Sequence, residues 1–265
     1  MIMKKIVFIT GGSSGIGKAT AIALRDLGCT VYEGSRRESQ IDGIVHLTLD
    51  VTCENSVLDA VNEVISREGR VDVLINCAGF GISGAVEFTD PSDVKKQIGV
   101  LFMGVDNMSR AVLPHMRKAG GGRIVNISSV AALFPIPFQT YYSASKAAID
   151  AYSAALANEV RPFGISVCAV LPGDIKTGFT AARAKSDMGD DIYGGRISRS
   201  VAVMERDEQN GMSSERAGKM IAKIVLKKRV KPQYVLGFSY QLLGLLKRIL
   251  PNSLINRLVG MIYAR

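Results

Sequence analysis

Histidine and cysteine are scarce in this 265-residue chain, and the shortage excludes several kinds of chemistry. The two histidines, His46 and His115, belong to no metal-ligand cluster and no Ser-His-Asp pattern, so strand-edge and helix-end packing are the better readings and no metal site is expected. The four cysteines, Cys29, Cys53, Cys77 and Cys168, form no C-x-x-C pair. Buried, reduced thiols in a cytoplasmic protein follow from that pattern. No apolar run reaches the roughly 20 residues that a membrane-spanning helix requires, and repeats and low-complexity tracts are absent. The opening MIMKKIVFIT has a lysine pair before a short apolar run, but it passes straight into a glycine turn and reads as a first strand rather than a leader.

Acidic residues are missing from one end in particular. From Ser213 to Arg265 there is one, Glu215, against eleven Lys or Arg, so the whole net charge of +9 comes from this end. A nucleic-acid partner is not expected, because the excess is confined to this tail. A solvated basic rim, an acidic partner and a peripheral contact with a membrane surface remain open.

What is present suits one large globular domain over residues 1–265, with 47% hydrophobic and 22% charged residues. Short apolar runs (KIVFIT, TVYEGS, IVHLTLD, VDVLIN, RIVNIS, ISVCAVLP) alternate with helical patterns at Lys18–Leu27, Glu54–Arg67, Val94–Met116 and Tyr142–Val160. Continuously apolar strands are buried on both faces, which predicts an α/β, doubly wound, Rossmann-type parallel sheet of about seven strands. Residues 178–212 lack clear periodicity and read as a substrate lid. A helix from Ser213, a last strand at QYVLG and two apolar helices in 238–265 complete the chain as a C-terminal helical extension.

The first strand runs into TGGSSGIG, residues 10 to 17, where Gly11, Gly15 and Gly17 allow backbone N–H groups at a helix start to approach a pyrophosphate. The second strand ends at Ser35, followed by Arg36 and Arg37, which favours the 2′-phosphate of NADP(H) over NAD(H). A shift of two residues would instead place Glu33 at the tip. In QTYYSASK, Tyr142 shares a helix face with Lys146, and Tyr141 with Ser145. A phenol with a pKa of about 10 needs a nearby cation to exchange protons at neutral pH, and Lys146 stands where it can supply one.

Ser129 precedes Tyr142 by 13 residues. With TGGSSGIG, NCAG, Ser129, YSASK and LPGDIKT in order, the chain resembles the short-chain dehydrogenase/reductase family over residues 4 to 178, and its hydroxysteroid and retinol dehydrogenase branch in NCAGFGISGAVEFT and AVLPHMR. The resemblance implies that Tyr142 exchanges the proton, Ser129 hydrogen-bonds the substrate oxygen, and Lys146 binds the nicotinamide ribose. It further implies a cofactor groove of Gly11, Ser13, Ser14, Gly15, Ile16, Gly17, Arg36, Arg37, Asp50, Val51, Asn76, Ala78, Gly79, Pro172, Gly173, Ile175 and Thr177, together with Tyr142 and Lys146. One departure stands out. Where family members carry a helical Asn, this chain has Leu101, and Gln97 rather than Asn107 lies near the same helix face.

The stretches bordering the pocket, GFGISGA, VAALFPIPF and Phe179, are largely apolar and suit a bulky lipophilic alcohol or ketone such as a hydroxysteroid, bile acid or retinoid. The basic tail adds the option of an anionic group on that substrate, and a homodimer or homotetramer is expected. The alternatives are a 3-oxoacyl-carrier-protein reductase and a non-catalytic NADP(H)-binding regulatory protein.

Overall fold

The core strands are short and mostly apolar, so they are stable only where both faces are covered. In the structure, a computed structural model that describes residues 4–247 and 249–264, seven strands form one parallel sheet. They are β1 Ile6–Thr10, β2 Thr30–Ser35, β3 Val45–Thr48, β4 Val73–Asn76, β5 Gly122–Ile127, β6 Ile165–Pro172 and β7 Gln233–Leu236. Across the sheet they run β7, β6, β5, β4, β1, β2, β3, every neighbouring pair parallel. Chain order reverses between β1 and β4, and a crevice opens there at the carboxyl ends of the strands.

The helices are α1 Gly15–Asp26, α2 Glu54–Glu68, α3 Pro91–Ile98, α4 Gly104–Lys118, α5 Thr140–Val160, α6 Arg196–Gln209, α7 Ser214–Val225, α8 Phe238–Leu246 and α9 Asn252–Tyr263. Alternation within β1 shows why the sheet needs them on both sides. Ile6 and Phe8 enter one core with Val57 and Val61 of α2, Met108 and Val112 of α4, and Leu156 of α5. Val7 and Ile9 enter the other with Ala21 and Leu24 of α1 and Ile221 and Val225 of α7.

Three features differ from the sequence expectation. The helix expected over Val94–Met116 is interrupted by a π turn, Gly99–Met103, which carries the buried Leu101. Its wider turn breaks the 100° arithmetic that relates Leu101 to Gln97 and Asn107. The 178–212 stretch contains α6, which buries only Ile197, Ser200 and Met204, a stripe too narrow to read as periodicity. Of the four thiols expected to be buried, Cys53 is exposed and Cys77 is partly exposed on the cleft, although all four are free.

The C-terminal helices brace the mouth of the crevice from outside. Tyr240 of α8 packs on Gly173 and its hydroxyl donates to Asp174. Lys247 donates to the Leu133 carbonyl at 2.5 Å, and Arg196 of α6 donates to the Ala264 carbonyl at 2.6 Å. Phe238 and Ile249 point outward, 85% and 80% exposed. Among the described residues, no helix is long and apolar enough to cross a membrane. Arg248 and Arg265 of the basic tail lie outside the described residues.

Candidate active site

The turn from β1 into α1 leaves no room for side chains. Gly11 has φ +68°, and a Cβ there would stand 2.8 Å from the Ala78 Cα; a Cβ at Gly17 would strike the Gly11 carbonyl oxygen. Ser14 caps α1 without a side-chain hydrogen bond, and the first turn has no acidic residue. Its N–H groups and the positive end of its dipole are therefore left for an anion, as a pyrophosphate requires. The cleft beginning at this turn has a volume of about 640 Å³.

At the far end of the cleft, β2 ends on Ser35, whose hydroxyl donates to the Arg37 carbonyl at 2.9 Å, and Arg36 and Arg37 line the opening. Glu33 is not an alternative tip. It is buried within the sheet beneath Gly12 and shares a 2.5 Å hydrogen bond with Nδ1 of His46. Asp50 accepts from the Thr52 N–H at 2.9 Å and the Thr52 hydroxyl at 2.7 Å. Those bonds, with a smaller contribution from Arg36, hold its carboxyl below the usual range.

Ser129 follows the end of β5, and Tyr142 and Lys146 sit one turn apart near the start of α5, so all three meet on the cleft wall. Lys146 is 6% exposed; its Nζ donates to the Ile127 carbonyl at 2.8 Å and lies 5.6 Å from the Tyr142 ring centroid. Burial pushes the phenol of Tyr142 up to about 12, against the lowering pull of a hydrogen bond with the Ser129 side chain; Glu208 adds to the rise. Burial also draws Lys146 down to about 8, while the nearby Cys77 and Asp150 oppose that shift. Tyr142 is thus a protonated acid at neutral pH with its oxygen beside a second hydroxyl, an arrangement that can donate a proton to a carbonyl oxygen. Tyr141 turns elsewhere, its hydroxyl reaching the Val86 carbonyl at 3.4 Å.

The expected groove residues Gly11, Ser13, Ser14, Gly15, Ile16, Gly17, Arg36, Arg37, Asp50, Val51, Ala78, Gly79, Pro172, Gly173, Ile175 and Thr177 all line this cleft. Asn76 does not. It is buried, its Nδ2 donates to Asn126 Oδ1 at 2.8 Å, and Asn126 in turn donates to Ser153 at 2.9 Å. A polar side chain at the last position of a buried strand is used here to tie β4, β5 and α5 together. Leu101 lines the cleft, Asn107 turns away to the Val51 carbonyl at 2.9 Å, and Gln97 is buried with Nε2 on the Phe80 carbonyl at 3.3 Å. Gln97 Oε1 has no partner among the described residues.

Phe80 of the expected GFGISGA stretch lines the cleft, whereas reading motifs alone missed Gln139 and Glu208, which line it as well. Glu208 comes from α6 and accepts from the Thr180 hydroxyl at 2.5 Å and from Arg183, whose side chain is wholly buried. The basic tail, one option for meeting an anionic group on the substrate, supplies no lining residue among those described. Among the described residues, none beyond Glu208 lines the cleft, and the charged side chain that residues 178–212 contribute to it is an acid.

The chain belongs to the short-chain dehydrogenase/reductase family: the short chain dehydrogenase family model matches residues 5–187. It is therefore an oxidoreductase whose fold binds a nicotinamide cofactor. It is 44% identical over 264 residues to a 3-ketodihydrosphingosine reductase of Bacteroides thetaiotaomicron, covering 98% of each chain. A 3-oxoacyl-[acyl-carrier-protein] reductase of Thermotoga maritima is 35% identical over 187 residues, 66% of this chain and 76% of that protein. The crystal structure of a short-chain dehydrogenase from Streptomyces avermitilis superposes with a TM-score of 0.83 at 31% identity, covering 94% of each chain.

Proposed function

We propose that the protein is an NADPH-dependent reductase of a long-chain ketone with a polar head, of the 3-ketodihydrosphingosine type. The carrying observation is that Ser129, Tyr142 and Lys146 meet in a cleft whose substrate end is walled by Phe80, Leu101, Ile136 and Phe179. Likeness to the 3-ketodihydrosphingosine reductase runs through the C-terminal helices, whereas likeness to the carrier-protein reductase extends over 66% of the chain. That difference favours a free lipophilic substrate over one tethered to a carrier protein, and the linear ketone named for the relative that matches over 98% of the chain favours a linear chain over the ring system of a steroid, bile acid or retinoid.

When bound, the nicotinamide supplies a hydride to the carbonyl carbon. Tyr142 gives its hydroxyl proton to the carbonyl oxygen, completing the alcohol, and Ser129 holds that oxygen by a hydrogen bond. Lys146, directly beneath, offers an ammonium to the cofactor ribose and to the phenolate left behind. The glycine turn receives the pyrophosphate, and Arg36 and Arg37 the 2′-phosphate.

NADPH oxidation should be seen with 3-ketodihydrosphingosine in mixed micelles and be far slower with a 3-oxoacyl thioester or a ketosteroid. The reverse ranking sinks the substrate reading. Cofactor choice is tested separately. The Arg36→Ala/Arg37→Ala double variant should weaken NADPH binding by about tenfold or more, as loss of charge-assisted phosphate bonds implies, with NADH affinity nearly unchanged. Equal weakening of both, measured by nicotinamide fluorescence, removes the 2′-phosphate argument.

A further inference from the structure

A 3-ketodihydrosphingosine carries a protonated amine on the carbon beside its ketone. Once that ketone oxygen is on Tyr142, the ammonium must lie within a few ångströms of the same hydroxyl, and burying it without a partner is costly. Three carboxylates line the cleft among the described residues: Asp50, Asp174 and Glu208. Asp50 lies with Arg36 at the β2 end, its carboxylate already bonded by Thr52. Asp174 accepts from Tyr240 of the C-terminal extension. Glu208 is the one placed with the substrate end, where it lines the cleft and is held by Thr180, the neighbour of the Phe179 ring that packs on Tyr142.

Its setting holds it there. Thr180 and Arg183 both donate to it, fixing the carboxylate relative to the helical turn Phe179–Ala182. The Arg183 guanidinium lies 5.6 Å from the Phe179 ring centroid, and the Gln139 carboxamide, assigned with its oxygen toward Arg183 because only that orientation pairs acceptor with donor, accepts from its Nε at 2.9 Å. Phe179 in turn packs 5.9 Å from the Tyr142 ring. Glu208 is therefore connected to the proton donor through a short, packed chain of side chains, and it keeps 16% of its own side chain open. A carboxylate needed only to neutralise Arg183 could be buried with it. One that also faces the cleft has acceptor capacity left for a cation.

Resting on the function proposed above, we infer that Glu208 is the specificity residue for an amino ketone: its carboxylate receives the substrate ammonium and so sets which carbonyl is presented to Tyr142. The apolar wall takes the alkyl chain, and the carboxylate takes the head.

The test compares 3-ketodihydrosphingosine with its desamino analogue, a long-chain 1-hydroxy-3-ketone, in the unmodified enzyme and in Glu208→Gln. Glutamine keeps an oxygen for Arg183 and can turn its amide N–H to the Thr180 hydroxyl, but it loses the charge, and NADPH affinity reports on folding. The variant should lose about 30-fold or more in kcat/KM on the amino ketone, the lower range for removing one side of a buried charge pair, and little on the desamino ketone. Loss of turnover on both substrates to the same extent overturns the role of Glu208 while leaving the proposed function standing. Failure of the unmodified enzyme to reduce the amino ketone overturns both. A measurement on the unmodified protein covers the case of a variant that does not fold. Dodecylamine should compete with the ketone about tenfold or more better than dodecanol, on the same charge-pair argument; equal inhibition by the two overturns the inference.

Discussion

Replacing Tyr142 with Phe should lower the rate of ketone reduction by at least about 10²-fold while leaving NADPH affinity nearly unchanged, because the loss is confined to proton transfer. The ring itself remains, so its packing against Phe179 and its place above Lys146 are kept. Tyr141→Phe is the control. Its hydroxyl is directed at the Val86 carbonyl, and its loss should leave turnover intact. Single-turnover reduction with preloaded NADPH separates the two variants, and an active Tyr142→Phe enzyme, or an inactive Tyr141→Phe enzyme, would reverse the assignment.

The same phenol sets the direction of the pH dependence. Burial raises Tyr142 to about 12 in the cofactor-free protein, so it carries its proton across the whole neutral range. Reduction, which consumes that proton, should therefore hold its rate through neutral pH. Alcohol oxidation, which needs the phenolate, should climb as pH rises. Rates followed in both directions from pH 6 to 10 would expose an opposite trend.

Much of this site was legible because each part is a local pattern with a local cause. β1 and the glycine turn are adjacent in sequence, and the absence of a Cβ is itself the signal. Tyr142 and Lys146 are one helical turn apart, so periodicity alone places them together. The fold was legible for a related reason: a parallel sheet covered on both faces forces its strands to be largely apolar, and β1, β4 and β6 are, apart from Thr10, Asn76 and Ser166. What stayed hidden depends on distant partners. Glu33 looked like a candidate for the strand tip until the register placed it opposite His46. Asn76 is expected in the groove from the family resemblance, and only its neighbours Asn126 and Ser153 show that its Nδ2 is engaged inside the sheet instead. Glu208 lies 66 residues after Tyr142, in a helix whose buried stripe is three side chains wide, and only the tertiary fold returns it to the cleft. The π turn had no signal in spacing, since one extra residue per turn leaves the composition unchanged.

Lys146→Met should remove turnover as thoroughly as the tyrosine change, and it should also alter how stability responds to pH. Lys146 is buried with one carbonyl, that of Ile127, as its bonded acceptor. Desolvation lowers its pKa from 10.5 to about 8, so between those values the unfolded chain holds a proton that the folded protein has released. Stability rises with pH wherever the unfolded state binds more protons, so this lysine destabilises the fold below pH 8 and the penalty fades toward pH 10.5. Methionine has about the same length and no charge. The unfolding free energy of the natural protein minus that of the variant should therefore climb across this window, by up to about 3 kcal/mol at 1.36 kcal/mol per pKa unit. The orphaned Ile127 carbonyl shifts the difference by a constant and leaves its slope alone. Urea unfolding at pH 7, 8, 9 and 10 measures that slope, and a flat line would show that the ammonium is not desolvated in the folded state. Saturating NADPH should flatten it, since ribose hydroxyls would give the ammonium further acceptors and return its pKa toward 10.5; an unchanged slope with cofactor bound would separate Lys146 from the ribose.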